Sequence, residues 1–293
     1  MLEHIRVVDF CDGISQFAGH ILARLGAEVI AVEPPGGVST RRMGPFEGDE
    51  PDLDASMTHW AYNRGKQSLV LDIGSSEGRD TFRELIAGAD ILFEDNHPGS
   101  LQSFDLSYKN LAEINPGIIH ASITPYGSEG PRSQWLGTDL TAVAGSAFMH
   151  ASGDADRAPL RVGVPHSFLQ GSADAAAASL IALQERHRSG TGQHIDASAQ
   201  ESVTIGFPQN VAPMENALTA DRIAGGISLG GMDIPLLFPC SDGYTICVIL
   251  PGAAFAPFSR RLTEWLDEEG AADENLHAID WDTIGVQLFA GEV

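Results

Sequence analysis

The chain has 293 residues, 43% of them hydrophobic and 19% charged, which is typical of a globular protein with one large domain or with a large and a small one. Its formal net charge of −23 argues against nucleic acid and anionic membranes as partners, because both are bound through clustered lysines and arginines. Three cysteines form neither a disulfide framework nor a zinc-binding pair, and no apolar run is long enough to span a bilayer. We therefore expect a cytoplasmic protein that holds no metal.

Apolar runs alternate with helical patterns along the first half of the chain. The predicted strands cover residues 5–10, 27–33, 68–72, 90–94 and 117–124, and the predicted helices cover residues 16–25, 78–87 and 106–113. Strand, helix and strand joined by short turns indicate parallel pairs with right-handed crossovers. The predicted fold class is therefore α/β, a Rossmann-like parallel sheet with helices on both faces. Residues 34–55, rich in Pro, Gly and acidic side chains, are predicted as a surface loop beside the ligand-binding edge of this sheet.

Residues 161–193 are predicted to contain one long helix with a loop at each end. The middle of this stretch, residues 173–183, is nearly all Ala, Ser and Leu, and such small side chains let neighbouring backbones approach closely. We therefore expect a core helix that is surrounded by protein. Basic residues in its last turn and Gly190 after it are typical of a helix carboxyl end. We expect catalytic side chains in the loop before the helix, residues 163–170.

The composition changes near residue 207, where we place a domain boundary. Residues 1–207 would form the large Rossmann-like domain, and residues 208–293 a small mixed α+β domain that is truncated. Around the boundary we predict a strand at 193–198, a helix at 199–207, strands at 234–238 and 244–250, and a helix at 255–266. The last of these helices would carry Phe258, Leu262 and Trp265 on one side.

Several short motifs follow one another over the first two thirds of the chain. They are LGAEVI at 25–30, VEP at 32–34, NRGKQSLVLD at 63–72, ADILFE at 89–94, PG at 98–99, NP at 115–116 and SGTGQHID at 189–196. In this order they resemble the family III CoA-transferases of the CaiB/BaiF type. The resemblance implies a large and a small domain, two interlocked chains in a homodimer or heterodimer, and an acyl-CoA and a carboxylic acid as substrates.

The resemblance also implies a nucleophile in the loop before the long helix. In family members that transfer CoA, an aspartate there attacks the thioester and forms an anhydride and then an aspartyl-CoA thioester. The matching position in this chain is Phe168, which cannot act as a nucleophile. His166 is the nearest titratable group and Asp174 the nearest carboxylate, so these two are weak catalytic candidates. The alternative is structural, with His166 at the helix start and Asp174 within a helical turn.

Matching positions for CoA contacts also follow from the resemblance. They are Ile14, Ser15, Gln16, Arg41, Leu71, Asp95, Asn96 and His97. Three cationic positions of the family, which face the CoA phosphates, fall on Pro34, Gly74 and Ser103. Each lost charge-assisted contact costs about 1.5–3 kcal/mol, so CoA binding should be weak unless Arg41, Arg42 or Arg64 compensates. A solvated pair is the alternative interpretation of Arg41 and Arg42.

Two hypotheses about function remain. In the first, the chain is a divergent CoA-transferase acting in acyl-CoA metabolism as a subunit. In the second, it is a non-catalytic partner interlocked with a relative that carries the missing aspartate. An acyl-CoA racemase is disfavoured, because the His and acid that this chemistry uses fall on Thr138 and Phe168.

Overall fold

The computed structural model describes residues 1–290 except 49, 155, 208–224, 230, 231 and 251. The chain divides into two units, residues 1–149 with 161–218 and residues 150–160 with 219–293. The segment 150–160 therefore belongs to the second unit, although it precedes the long helix in the sequence. The predicted boundary at residue 207 adjoins the undescribed stretch 208–224 and stays a prediction, and Val293 lies outside the described residues.

A six-stranded parallel sheet lies at the centre of the first unit and confirms the predicted α/β class. Its strands are β1 (Arg6–Phe10), β2 (Glu28–Glu33), β3 (Gln67–Val70), β4 (Ile91–Glu94), β5 (Ile119–Thr124) and β6 (His194–Ser198). They lie in the order β3-β2-β1-β4-β5-β6, and all neighbours are parallel. The chain reverses its direction of travel across the sheet between β1 and β4. Open sheets of this kind bind ligands at such a switch point.

Seven helices lie among the described residues of the first unit. They are α1 (Phe17–Arg24), α2 (Met57–Asn63), α3 (Ser76–Ala87), α4 (Tyr108–Ile114), α5 (Asp139–Gly145), α6 (His166–Ser189) and α7 (Ala199–Gly206). Serine or threonine caps the amino ends of α2, α3, α4, α5 and α7 by accepting a backbone N–H hydrogen bond. Neither α2 nor α5 was predicted from the sequence.

The two faces of the sheet are covered by different helices. One face packs on α1 and α6 through Val7, Ile91 and Ala175, and the other packs on α3 and α4 through Val8 and Phe82. These side chains are at most a few per cent exposed, and burial of such apolar area is the main stabilising term of the fold.

Helix α6 buries only one side. Its buried positions are small because neighbouring backbone lies close: a Cβ on Gly171 would stand 3.3 Å from the Cα of Ala199. On the opposite side Ile181 is 72% exposed. The prediction that this helix is surrounded by protein is therefore wrong for one of its sides within this chain. Small residues are required only where the helix meets α1, α7 and the sheet.

The second unit contains two hairpins and three helices among its described residues. Strand β7 (Gly226–Leu229) pairs with β8 (Met232–Pro235), and β9 (Leu237–Cys240) pairs with β10 (Gly243–Ile246), both antiparallel. The helices are α8 (Ala256–Glu268), α9 (Glu274–Ala278) and α10 (Ile284–Ala290). Phe258 and Trp265 of α8 are 69% and 55% exposed, while the helix buries Ala256. No helix in the described ranges of either unit is long and apolar enough to cross a bilayer.

A buried ion pair ties the carboxyl end of β1 to the turn after α2. The Lys66 Nζ lies 2.6 Å from the Asp9 Oδ2, and the two side chains are 1% and 0% exposed. The same ammonium group donates to the backbone oxygen of Gln16 at 2.7 Å and to the Asn63 Oδ1 at 2.8 Å. Its three protons are therefore all used. A Cβ on Gly19 would stand 2.2 Å from the Asp9 Oδ2, so glycine is needed where α1 passes this pair.

A second ion pair fixes the loop after β2. The guanidinium of Arg41 donates to both carboxylate oxygens of Glu33, with Nε–Oε2 at 2.6 Å and Nη2–Oε1 at 2.8 Å. A further bond reaches the Oδ1 of Asp54 at 3.0 Å. Burial alone would raise the pKa of Glu33, but the hydrogen bonds from Arg41 and Ser68 lower it to about 2.

Replacing Lys66 by Met is expected to destabilise the protein by about 3–5 kcal/mol, because the Asp9 carboxylate is left buried and unpaired. The exposed Lys109→Met is the matched control and should change the free energy of unfolding by less than about 0.5 kcal/mol. Chemical denaturation of the two variants and of Asp9→Asn/Lys66→Met gives the comparison. Equal unfolding free energies for the two single variants would show that the buried pair has no such role.

Replacing Arg41 by Met should destabilise the protein in a pH-dependent way. The folded-state pKa of Glu33 is about 2 against an ordinary value of 4.5, so its ionised form favours the folded state above pH 4.5. That contribution, up to roughly 3 kcal/mol, is lost as the pH falls from 4.5 to 2. The difference between wild type and variant in unfolding free energy should therefore shrink over this window. Arg83→Met, which removes an exposed pair with Asp80, should show a much smaller difference.

Candidate functional site

The loops that follow β1, β2 and β4 are bonded to one another at the switch point. The carboxylate of Asp95 accepts hydrogen bonds from the backbone N–H groups of Asp12 at 2.8 Å and Gly13 at 3.0 Å. Asp12 in turn accepts from Ser39, at its Oδ1 from the backbone N–H and at its backbone oxygen from the hydroxyl. These bonds place three loop ends around one cleft, as the doubly wound topology predicts.

A cavity of about 220 Å³ opens among these loops, and we call it the switch-point cleft. Its apolar wall includes Val32 and Leu71, and its polar wall contains the three carboxylates of Asp12, Asp72 and Asp95. No lysine or arginine lines it in the part of the chain that the structure describes. The cleft is therefore anionic, which disfavours phosphate groups unless a cation comes from elsewhere.

The carboxyl group of Asp95 is a weaker acid than an ordinary aspartate. Its removal from water raises the pKa, and the nearby carboxylates of Glu94 and Asp12 raise it further, while the two backbone donors lower it. The resulting pKa is about 7. Asp95 is therefore partly protonated at neutral pH, and the charge of the cleft changes with pH in the physiological range.

Three of the predicted CoA contacts line the switch-point cleft together: Leu71, Asp95 and Asn96. Two others are internal. Ser15 and Gln16 are each 1% exposed. The Gln16 side chain donates to the Cys11 backbone oxygen and accepts hydrogen bonds from Thr40 and Asn63.

The other three predicted contacts have different surroundings. Ile14 is half-buried in the short 3-10 helix Ile14–Gln16. Arg41 is engaged by Glu33 and Asp54, as described above. His97 is exposed, and its ring nitrogens lie 3.1 Å from the backbone oxygen of Pro98 and 3.4 Å from that of Gln134. The ligand-binding roles of all eight residues stay predictions.

The start of α6 is held by a carboxylate that was not singled out from the sequence. The Oδ1 of Asp139 accepts hydrogen bonds from the backbone N–H and the hydroxyl of Ser167, each at 2.9 Å. Its Oδ2 lies 3.4 Å from the Nε of Arg161. Asp139 thus caps α6 from the first turn of α5 and satisfies a backbone donor that the helix itself cannot.

The two weak catalytic candidates lie on α6. The ring of His166 stacks on Phe148 at a centroid distance of 5.4 Å and lies 6.0 Å from the ring of Phe207. Its Nε2 is buried and has no hydrogen-bond partner among the described residues. Asp174 is half-buried, six residues beyond Phe168 along the helix. Aromatic packing accounts for the position of the His166 ring but not for its unpartnered Nε2, and the catalytic roles of His166 and Asp174 stay predictions.

Strand β5 has a polar face that was not predicted from the sequence. His120, Ser122 and Thr124 alternate with Ile119, Ala121 and Ile123, and all six are buried. Strands of a parallel sheet that is covered on both faces are usually apolar throughout. The alternation was visible in the sequence as a signal that one face of this strand is not part of the apolar core.

The model of CoA-transferase family III matches residues 2–283 of the chain. The succinyl-CoA:(R)-benzylsuccinate CoA-transferase subunit BbsE of Thauera aromatica is 34% identical over 275 residues, which cover 92% of this chain and 65% of that protein. The succinate–glutarate CoA-transferase of Agrobacterium fabrum is 37% identical over 287 residues, covering 94% and 69%. The mouse succinyl-CoA:glutarate CoA-transferase is 35% identical, and the chain spans only 56% of its length.

Solved structures agree with these sequence matches. A CaiB/BaiF family protein from Brucella suis superimposes with a TM-score of 0.76 at 29% sequence identity, covering 99% of this chain and 75% of that one. The protein Rv3272 from Mycobacterium tuberculosis, at 23% identity, gives a TM-score of 0.73 and shares the fold. The matched residues, the relatives and the sheet topology lead to one conclusion: the chain belongs to CoA-transferase family III.

Proposed function

We propose that the chain acts in acyl-CoA metabolism as a subunit of an enzyme that transfers CoA between an acyl-CoA and a carboxylic acid. Family membership supports the substrate class, since the family implies CoA thioesters as ligands. The three relatives described above carry names of CoA-transferases, and one of them is named as a subunit. We also propose that the protein is cytoplasmic.

The observation that carries the subunit proposal is the chemistry at the start of α6. Phe168 occupies the position where the resemblance implies the nucleophile. The neighbouring carboxylate, Asp139, has one oxygen bonded twice to Ser167 and the other, Oδ2, buried and facing Arg161. A nucleophile needs an exposed, uncommitted oxygen to attack a thioester carbonyl. Asp139 is therefore a capping group, which favours a catalytic carboxylate on another chain.

The electrostatics of the switch-point cleft support the same proposal. Three carboxylates line it, and the two arginines of the 3-10 helix Ser39–Arg42, in the loop after β2, are already engaged. Arg41 binds Glu33, and Arg42 donates to the backbone oxygens of Gly36, Gly37 and Val38. CoA carries several phosphate charges, so we expect this chain alone to bind it weakly.

A non-catalytic partner is the form of this subunit that the Phe168 position favours. In that form the chain would interlock with a family III relative and contribute structure without reacting. The racemase alternative has little support, because Thr138 accepts a hydrogen bond from the Thr141 backbone N–H and caps α5. A hydroxyl in that role cannot replace a histidine as acid or base near neutral pH.

Mixing the chain with a co-purifying family III relative should give transferase activity that neither protein shows alone. Replacing the relative's aspartate at the position of Phe168 should abolish the activity of the mixture. Asp174→Asn in this chain should leave that activity within about twofold, since the proposal gives it no chemical role. Loss of activity in Asp174→Asn, with the relative's variant still active, would make this chain the catalyst. Analytical ultracentrifugation reports whether the two chains associate.

The affinity of the chain for CoA should rise as the pH falls through 7. The pKa of Asp95 is about 7, so acidification removes a negative charge from the switch-point cleft and weakens its repulsion of phosphate. Asp95→Asn should remove this part of the pH dependence, whereas Asp52→Asn, an exposed residue outside the cleft, should retain it. Calorimetric titration with CoA on either side of pH 7 measures the effect. Identical profiles for wild type and Asp95→Asn would exclude Asp95 as the titrating group.

A further inference from the structure

The polar face of β5 forms the floor of a second cavity in the first unit. The floor consists of His120, Ser122 and Thr124 of β5 together with Glu94 of β4, and all four residues are at most 5% exposed. The apolar cluster under α3 and α4 ends at this point of the sheet. Tyr108 of α4 and the turn after β4 rise over the floor and enclose about 370 Å³. This volume is within the range of small-molecule sites.

This polar cavity differs from the switch-point cleft. The two share Asn96, but the floor of the polar cavity lies on β4 and β5, with His194 of β6 at its side. Two predicted CoA contacts, Asn96 and His97, lie at its rim, but none of the eight belongs to its buried floor. Four buried polar residues in an otherwise apolar sheet are costly unless they are paired, so their presence calls for a partner.

Several polar atoms of the cavity lack such a partner. Both ring nitrogens of His120 and the hydroxyl of Thr124 are buried, and none of them has a hydrogen-bond partner among the described residues. The Nε2 of His120 faces the Oε1 of Glu94 at 3.7 Å, which is too long for a hydrogen bond. The other carboxylate oxygen, Oε2, accepts two bonds from Asn96.

The charge and the rings of the cavity favour a cation. Burial opposes ionisation of Glu94, but His120, Ser122 and the Asn96 backbone N–H together lower its pKa, so it carries a negative charge. Around it, the rings of Tyr108, His120 and His194 lie with centroids 5.2–6.2 Å apart. Burial and the neighbouring His120 lower the pKa of His194, which keeps that ring neutral at pH 7.

A buried carboxylate beside aromatic rings attracts protonated nitrogen through both charge and ring quadrupoles. The net charge of −23 adds a long-range attraction for cations. Lys109, an exposed residue among those lining the cavity, opposes a simple amine but would attract an anionic group at the ligand's other end.

We propose that the polar cavity binds a small organic cation, an amine of about the size of an amino acid, through the carboxylate of Glu94 and the rings of Tyr108, His120 and His194. The polar cavity is thereby a ligand site separate from the switch-point cleft.

The site can be tested by nuclear magnetic resonance on protein labelled with ¹⁵N at histidine. The probes are ethanolamine and 4-aminobutanoate, with ethylene glycol and butanoate as neutral and anionic counterparts that lack the amine. The two amines should shift the ring signals of His120 and His194 in a saturable way, and the counterparts should not. A response to the counterparts equal to that of the amines, or no saturable shift at millimolar amine, would overturn the proposal.

Variants identify the group that binds. Glu94→Gln should weaken amine binding roughly tenfold or more, since it removes the charge and preserves the shape. Glu113→Gln, an exposed carboxylate of α4 that does not line the cavity, should bind amines as the wild type does. If Glu94→Gln does not fold, Tyr108→Leu should weaken binding several-fold and Tyr108→Phe should not. Unchanged affinity for the amines in Glu94→Gln, or in Tyr108→Leu where that variant replaces it, would refute the site. Displacement of the amine by CoA would show that the site is not separate from CoA binding and would also refute the proposal.

Discussion

The buried pair of Asp9 and Lys66 is the interaction on which the binding edge of the sheet depends. It joins the end of β1 to the turn before β3, and through the backbone oxygen of Gln16 it fixes the entry to α1. Two charges this deeply buried are stable only when each satisfies the other, so the three segments cannot move independently. Positions 57 residues apart in the sequence thus hold the end of β1, and the residues that follow Asp9, from Phe10 to Asp12, line the switch-point cleft.

The use of basic residues in internal ion pairs also explains why the switch-point cleft is anionic. The chain has 17 basic residues against 40 acidic ones, and the fold uses several of the basic ones internally. Arg41 neutralises Glu33, and Arg186 binds Asp90 at 2.6 Å and the Gly117 backbone oxygen at 3.0 Å. Each of these cations stabilises the sheet or its loops. The charged groups that line the cleft are therefore carboxylates, and without a cation there one chain cannot bind the CoA phosphates well.

The sequence predicted the sheet well and the short helices poorly. Every predicted strand of the six-stranded sheet lies within about two residues of its observed bounds. For the inner strands β1, β2 and β4, burial on both faces leaves a nearly continuous apolar signal. Helices α2 and α5 each have seven residues, which give few turns for a clear period, although α4 of the same length was predicted. Their starts depend on caps at Ser56 and Thr138. The exposure of Ile181 was likewise invisible, since small residues on α6 report close packing on one side and nothing about the other.

The two candidate sites illustrate different limits of sequence interpretation. A family resemblance indicates which residues match the ligand-binding positions of relatives, but it does not show which groups those side chains contact in this chain. Gln16 and Arg41, two of the matching residues, form hydrogen bonds with other residues of the chain. The polar cavity shows the reverse case. No family motif marks it, but the alternation of His120, Ser122 and Thr124 with apolar residues could be seen in the sequence. One face of a single sheet supports both an apolar core and a polar site, which meet at the amino end of α4, where Tyr108 lines the polar cavity. Because side chains alternate between the two faces of a strand, alternating polarity in a buried strand marks such a division in the sequence itself.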